Sequence, residues 1–191
     1  MYLLYLLLSL FSAQQDLPAF NQLADRTGMT FTQPAGWEEV PVVKNSQMSY
    51  DYAIKPTGKE FEIRYRIQPL DEMAQKYKEW QAAKPAGSVM IDPTNLYPGV
   101  MMAVGANIAG GKMPGGFRPY APDAVKHDFG ADKGGALMMV PAKEFGQGFK
   151  YCLMTTIHKA DKSITNIFFM VNSEAGFRTY IPATMTALSY K

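Results

Sequence analysis

Phe149–Val171 reads F-K-Y-C-L-M-T-T-I-H-K-A-D-K-S-I-T-N-I-F-F-M-V. Side chains of a strand alternate between two faces. On that alternation Phe149, Tyr151, Leu153, Thr155 and Ile157 share one face, and Lys150, Cys152, Met154, Thr156 and His158 the other. In the second half Ile164, Asn166, Phe168 and Met170 oppose Thr165, Ile167, Phe169 and Val171. All these sets are largely apolar, which predicts strands covered on both faces. Lys159–Ser163 is polar and short enough to turn the chain back antiparallel. The stretch therefore predicts the centre of an antiparallel sheet with helices on either side.

Working outward, Ser173 is placed to cap a helix over Glu174–Thr186, with Glu174 in the first turn where its charge suits the helix dipole. Pro182 predicts a kink or an early break in it, and Leu188-Ser189-Tyr190 a last short strand. Upstream, Met48–Lys55 and Glu60–Gln68 alternate around the turn Pro56–Lys59. In the second of these Phe61, Ile63, Tyr65 and Ile67 face inward, while Glu60, Glu62, Arg64, Arg66 and Gln68 face outward. One wet face places this hairpin towards the edge of the sheet. Helices are predicted at Asp16–Gly28, at Asp71–Lys84 with Asp71 as its cap, and after Pro98 along Val100, Met101, Val104 and Ile108. Met29–Gln33 and Gly134–Pro141 read as strands. Lys112–Lys133 is rich in Gly and Pro and irregular, with a short helix at Pro122–His127. The fold class is α+β: an antiparallel sheet of five to seven strands between helices, an α/β/α sandwich.

The chain has 191 residues, enough for one domain over residues 14–191. A net charge of +2, with bases and acids interleaved, gives no footprint for nucleic acid. Met1–Phe11 is apolar and uncharged and leads to Ser12-Ala13. Such a run before a small residue reads as a signal peptide over residues 1–13, cleaved after Ala13. It is too short for a permanent membrane span. The expected location is exported, periplasmic or extracellular. Cys152 is the one cysteine, so no intrachain disulfide is available.

Phe31, Pro34, Gly36 and Trp37 near the start, and Phe177, Ile181 and Leu188-Ser189-Tyr190 at the end, resemble the PsbP-like fold family. The resemblance covers the two ends of the domain and leaves Pro85–Gln147 unmatched. It implies an antiparallel sheet between helices and a non-enzymatic, partner-binding role, and it supplies no active-site residues.

Candidate chemistry is sparse. Gly105–Met113 misses the phosphate-loop pattern, with Ala106 and Met113 in place of its Gly and Ser/Thr. Cys152 and His158 share a strand face, but six residues of strand separate them by about 20 Å, where a catalytic dyad needs roughly 3 Å. His127-Asp128, with Asp123 and Asp132 nearby, is the one metal-like cluster. Two histidines are too few for a usual zinc site, and calcium needs more carboxylates in one tight loop. No motif calls for a cofactor or a metal. The expected binding residues are Tyr97, Phe117, Arg118, Tyr120, His127 and Asp128. Aromatics and Arg on a long irregular segment suit a recognition surface, though Tyr97, Phe117, Tyr120 and Phe129 could equally form that segment's own small core. The reading is an exported non-enzymatic binding or accessory protein with a protein partner. Its alternatives are a hydrolase using Cys152 or a His127/Asp128 site, and a structural envelope protein.

Overall fold

A computed structural model of the chain describes residues 17–84 and 86–191; the expected signal sequence lies outside them. In chain order the elements are α1 (Leu17–Arg26), β1 (Met29–Phe31), β2 (Trp37–Glu39), β3 (Tyr52–Pro56), β4 (Phe61–Pro69), α2 (Asp71–Ala83), α3 (Tyr97–Ile108), β5 (Arg118–Pro119), α4 (Pro122–Phe129), β6 (Lys133–Met139), α5 (Lys143–Gly146), β7 (Tyr151–Lys159), β8 (Ser163–Val171), α6 (Glu174–Thr184) and β9 (Leu188–Tyr190). Seven strands form one antiparallel sheet in the order β2-β3-β4-β8-β7-β6-β5. β8 is the middle strand, and all nine of its residues are buried.

Two cores explain that burial. On the first face Phe20, Tyr52, Phe61, Tyr65 and Phe169 pack beneath α1, α4 and α6. On the second, Met101 and Ile108 of α3 and Phe145 of α5 cover Leu137, Cys152, Met154, Phe168 and Met170. The architecture is thus an α+β sandwich, helices on both faces of an antiparallel sheet.

Local chemistry fixes several boundaries. Ser173 Oγ accepts the Gly176 N–H at 3.4 Å and starts α6. α6 runs through Pro182 and ends at Thr184, two residues short of the expected Thr186. Asp71 does not cap α2: the residue before the helix is Leu70, and the Asp71 carboxylate instead receives the Arg26 guanidinium at 2.8–3.0 Å, tying α1 to α2. α4 runs to Phe129 and closes at Gly130, whose φ of 61° needs no Cβ and whose own Cβ would meet the Tyr190 carbonyl at 2.8 Å.

Three expectations change. The β3–β4 hairpin is not peripheral, since β4 pairs with β8 along its whole length. Two of its five outward residues are not wet: Glu62 is 7% exposed and Arg64 0%, while Glu60 is exposed and Arg66 and Gln68 are half-buried. α5 and the segment before β3 close over Glu62 and Arg64, so the Arg64 guanidinium lies between the rings of Tyr50 and Phe145, with centroids at 5.0 and 4.9 Å. Its Nε meets Glu62 Oε1 at 2.5 Å and its Nη1 donates to the Phe145 carbonyl. Finally, β9 joins β1 in a separate two-stranded sheet, with Phe31 opposite Leu188. The two chain regions that carry the family resemblance meet there.

Candidate functional site

The segment expected to be irregular folds back on the sheet. β5 pairs with Gly135 and Ala136 of β6, and α4 sends Val125 and Phe129 into the first core. β6 permits this because it carries two glycines. A Cβ on Gly135 would meet Phe117 Cε2 at 2.3 Å and the Arg118 carbonyl at 2.9 Å; one on Gly134 would press Val125 and Tyr120 at 3.2 and 3.3 Å. A Gly-Gly pair inside a strand marks such a close approach. That was the available signal for two residues the sequence reading passed over.

Phe117 therefore lies over Gly135, and Tyr97 at the start of α3 meets it edge-on, ring centroids 6.4 Å apart. Tyr120 stacks on Phe129 at 6.3 Å and shares a 2.8 Å hydrogen bond with Thr155 Oγ1. Tyr97, Pro98, Phe117, Pro119, Tyr120 and Pro122 line a cleft of about 230 Å³ at the β5 edge. A second hollow of about 190 Å³ adjoins it across Tyr120 and Val125, and Asp128 and Met185 contribute to its wall. The three prolines of the first cleft are further residues that sequence reasoning did not single out.

Of the six expected binding residues, Tyr97, Phe117 and Tyr120 surround one cleft and Asp128 lines its neighbour. Arg118 is exposed on β5. His127 is 88% exposed and bonds Asp128 at 2.7 Å, a pair on the outer side of α4.

Beneath the cleft wall lies a buried polar group. Thr156 faces Asn166 across the β7–β8 pair, and its hydroxyl donates to Asn166 Oδ1 at 2.7 Å. His158, two residues along β7 on the same face, has its ring 5.9 Å from that of Tyr97. The Tyr97 hydroxyl, Asn166 Nδ2 and both His158 ring nitrogens are buried without a hydrogen-bond partner among the described residues. Burial pushes the Tyr97 hydroxyl up and the His158 imidazole down; for His158, Lys133 adds to the effect and Asp132 opposes it. His158 is thus held neutral.

Among the described residues Cys152, the candidate nucleophile, and His127, the candidate base, are not brought together. Cys152 is fully buried between Met139 and Met170 on the neighbouring strands. Burial pushes its thiol up to about 12 despite the nearby Arg64, so the nucleophilic thiolate is absent at neutral pH. Cys152 lies in the second core and α4, which carries His127, packs on the first, so the sheet separates them. Among the described residues no group of three His, Cys, Asp or Glu is placed to hold a metal ion. The glycines after α3 follow a helix C-terminus, the electronegative end, which disfavours phosphate. No described helix is long and apolar enough to cross a membrane.

No family model matches the chain, and no curated protein matches it. The solution structure of cyanobacterial PsbP (CyanoP) from Synechocystis sp. PCC 6803 is similar to it, with 14% identity over 86% of this chain and 88% of that one and a TM-score of 0.47. The architecture rests on the strand order β2-β3-β4-β8-β7-β6-β5.

Proposed function

We propose that this chain is an exported, non-catalytic accessory protein that binds a protein partner through the aromatic and proline cleft at the β5 edge. The observation that supports the reading is the cleft itself: Tyr97, Phe117 and Tyr120, with Pro98, Pro119 and Pro122, form a preformed concave surface. Small apolar clefts edged by aromatics accept one or two side chains of an extended segment. The adjoining hollow across Tyr120 offers a second such position. Export rests on the sequence of residues 1–13, and the mature chain would start at Gln14.

The test is affinity capture of partners from the native envelope with the wild-type chain and with two exposed variants, Phe117→Ala and Pro119→Arg. Deleting Gly110–Lys133 is not a usable variant, because it removes the core residues Val125 and Phe129. Capture of a partner that both variants lose, with unchanged Tm, is the expected outcome. A partner retained by both variants overturns the cleft assignment. N-terminal sequencing of the envelope form checks export, and an intact Met1 overturns it.

A further inference from the structure

A second surface lies at the other end of β6. Ala109, Met113, Pro114, Met138, Val140 and Tyr151 line an apolar groove of about 480 Å³. Met113, Met138, Val140 and Tyr151 are four of the eight large apolar side chains exposed among the described residues, Met113 by 78% and Val140 by 67%. Soluble proteins scatter such residues singly; a contiguous group marks an interaction surface. The chain segments that form the groove are basic. Segments 109–116, 135–143 and 145–156 carry Lys112, Lys143 and Lys150 and not one carboxylate, in a chain with 19 basic and 17 acidic residues. Lys112 is part of the groove wall. The acid between two of these segments, Glu144, is turned to Ser46, whose N–H and hydroxyl it accepts at 3.1 and 2.8 Å.

We infer that this face docks on an anionic lipid bilayer. The chemistry is that of interfacial binding: exposed Met, Val and Tyr side chains enter the headgroup region while a rim of lysines meets lipid phosphates. Tyr suits this depth, apolar at the ring and polar at the tip. Met113 stands in the loop between Gly111 and Gly115, whose N–H groups bond Ala106 and Met138, and its side chain projects into solvent. The cleft of the proposed function lies at the opposite end of β6 and stays open while the groove is engaged. This docking does not depend on that reading.

The experiment places an environment-sensitive fluorophore on Met113→Cys of the full chain and, separately, on Lys76→Cys of α2 as a reference position. Cys152 is buried and protonated, so each label is confined to the introduced thiol. The probe is vesicles of phosphatidylcholine with and without phosphatidylglycerol. The expected result is a blue shift at position 113 on phosphatidylglycerol vesicles that is absent at position 76. Binding should weaken about fivefold for each of Lys112→Gln and Lys143→Gln, weaken with added salt, and be lost in Val140→Asp. No shift at 113, equal shifts at both positions, or equal binding to neutral vesicles overturns the inference. So does a concentration-dependent shift without lipid, which would make a second copy of the chain the occupant.

Discussion

The two faces of the sheet are built from different materials. The first is aromatic. Phe20 stacks on Tyr52 at 4.8 Å, Phe31 meets Tyr65 edge-on at 5.3 Å, and Phe61 meets Tyr180 at 4.7 Å. Its main buried polar contact is closed: Tyr190 and Ser163 share a hydrogen bond of 2.7 Å. The second face carries sulfur, a buried ion pair and the Thr156–Asn166–His158 group. It holds five of the six buried side-chain polar atoms that lack partners among the described residues: Arg64 Nη2, Tyr97 Oη, both His158 nitrogens and Asn166 Nδ2. An unsatisfied buried polar atom costs about 1–3 kcal/mol. The second face thus carries most of this local cost, and Tyr97 brings part of it to the cleft wall.

The sharpest contrast comes from removing one side chain on each face. Phe61→Ala deletes an aromatic from the first core and should cost about 3–5 kcal/mol in chemical denaturation. Arg64→Ala should cost a similar ~3–5 kcal/mol for a different reason, leaving the Glu62 carboxylate buried and unpaired. The faces separate in the double replacement. Glu62→Leu with Arg64→Met should return to wild-type stability or exceed it, because desolvating both charges offsets most of their attraction. A double variant as unstable as Arg64→Ala would show that the pair itself, not the cost of orphaning Glu62, holds the second face.

Gly135→Ala tests the edge where the two cores approach each other. Its methyl group must displace the Phe117 ring and press the Arg118 carbonyl, so a loss of about 1–3 kcal/mol is expected. Pairing it with Phe117→Ala should recover part of that loss and still leave partner capture abolished. Full stability in Gly135→Ala would mean that the ring is not held over β6.

A smaller effect is expected from pH. The folded state depresses the His158 pKa, so the unfolded chain binds its proton more readily. The stability contributed by neutral His158 is complete above about pH 6.5, the unfolded value, and is lost as pH falls towards and through the lower folded value. His158→Phe should flatten the denaturation midpoint over that acid range relative to wild type. An unchanged pH slope would remove His158 from the account of the second face.

The residues most legible in the sequence were those whose surroundings are local or periodic. The hairpin of β7 and β8, and Ser173 at the head of α6, follow from alternation and capping. Glu62 and Arg64 did not, because alternation on β4 reports only that one face is polar. What buries that face is Tyr50 and Phe145, and Phe145 is distant in sequence. The short β5 and α5 carry too few residues for any period. At the candidate site, grouping Tyr97, Phe117 and Tyr120 was possible from their aromatic character. Placing Phe117 needed Gly135, whose part is to have no side chain. Separating His127 from Cys152 needed the strand order, which puts a sheet between them.

The β1–β9 sheet has a consequence for how the molecule comes into being. Met29 pairs with Tyr190, so a chain growing from its N-terminus must wait for about 160 further residues before β1 finds its partner. At roughly 5–20 residues per second that delay is about 8–32 s. During it Phe20 and Phe31 can already pack on Tyr52 and Tyr65 of the β3–β4 hairpin, while the hydrogen-bonding edge of β1 stays unpaired. That edge closes last, once the chain's final residues have left the ribosome.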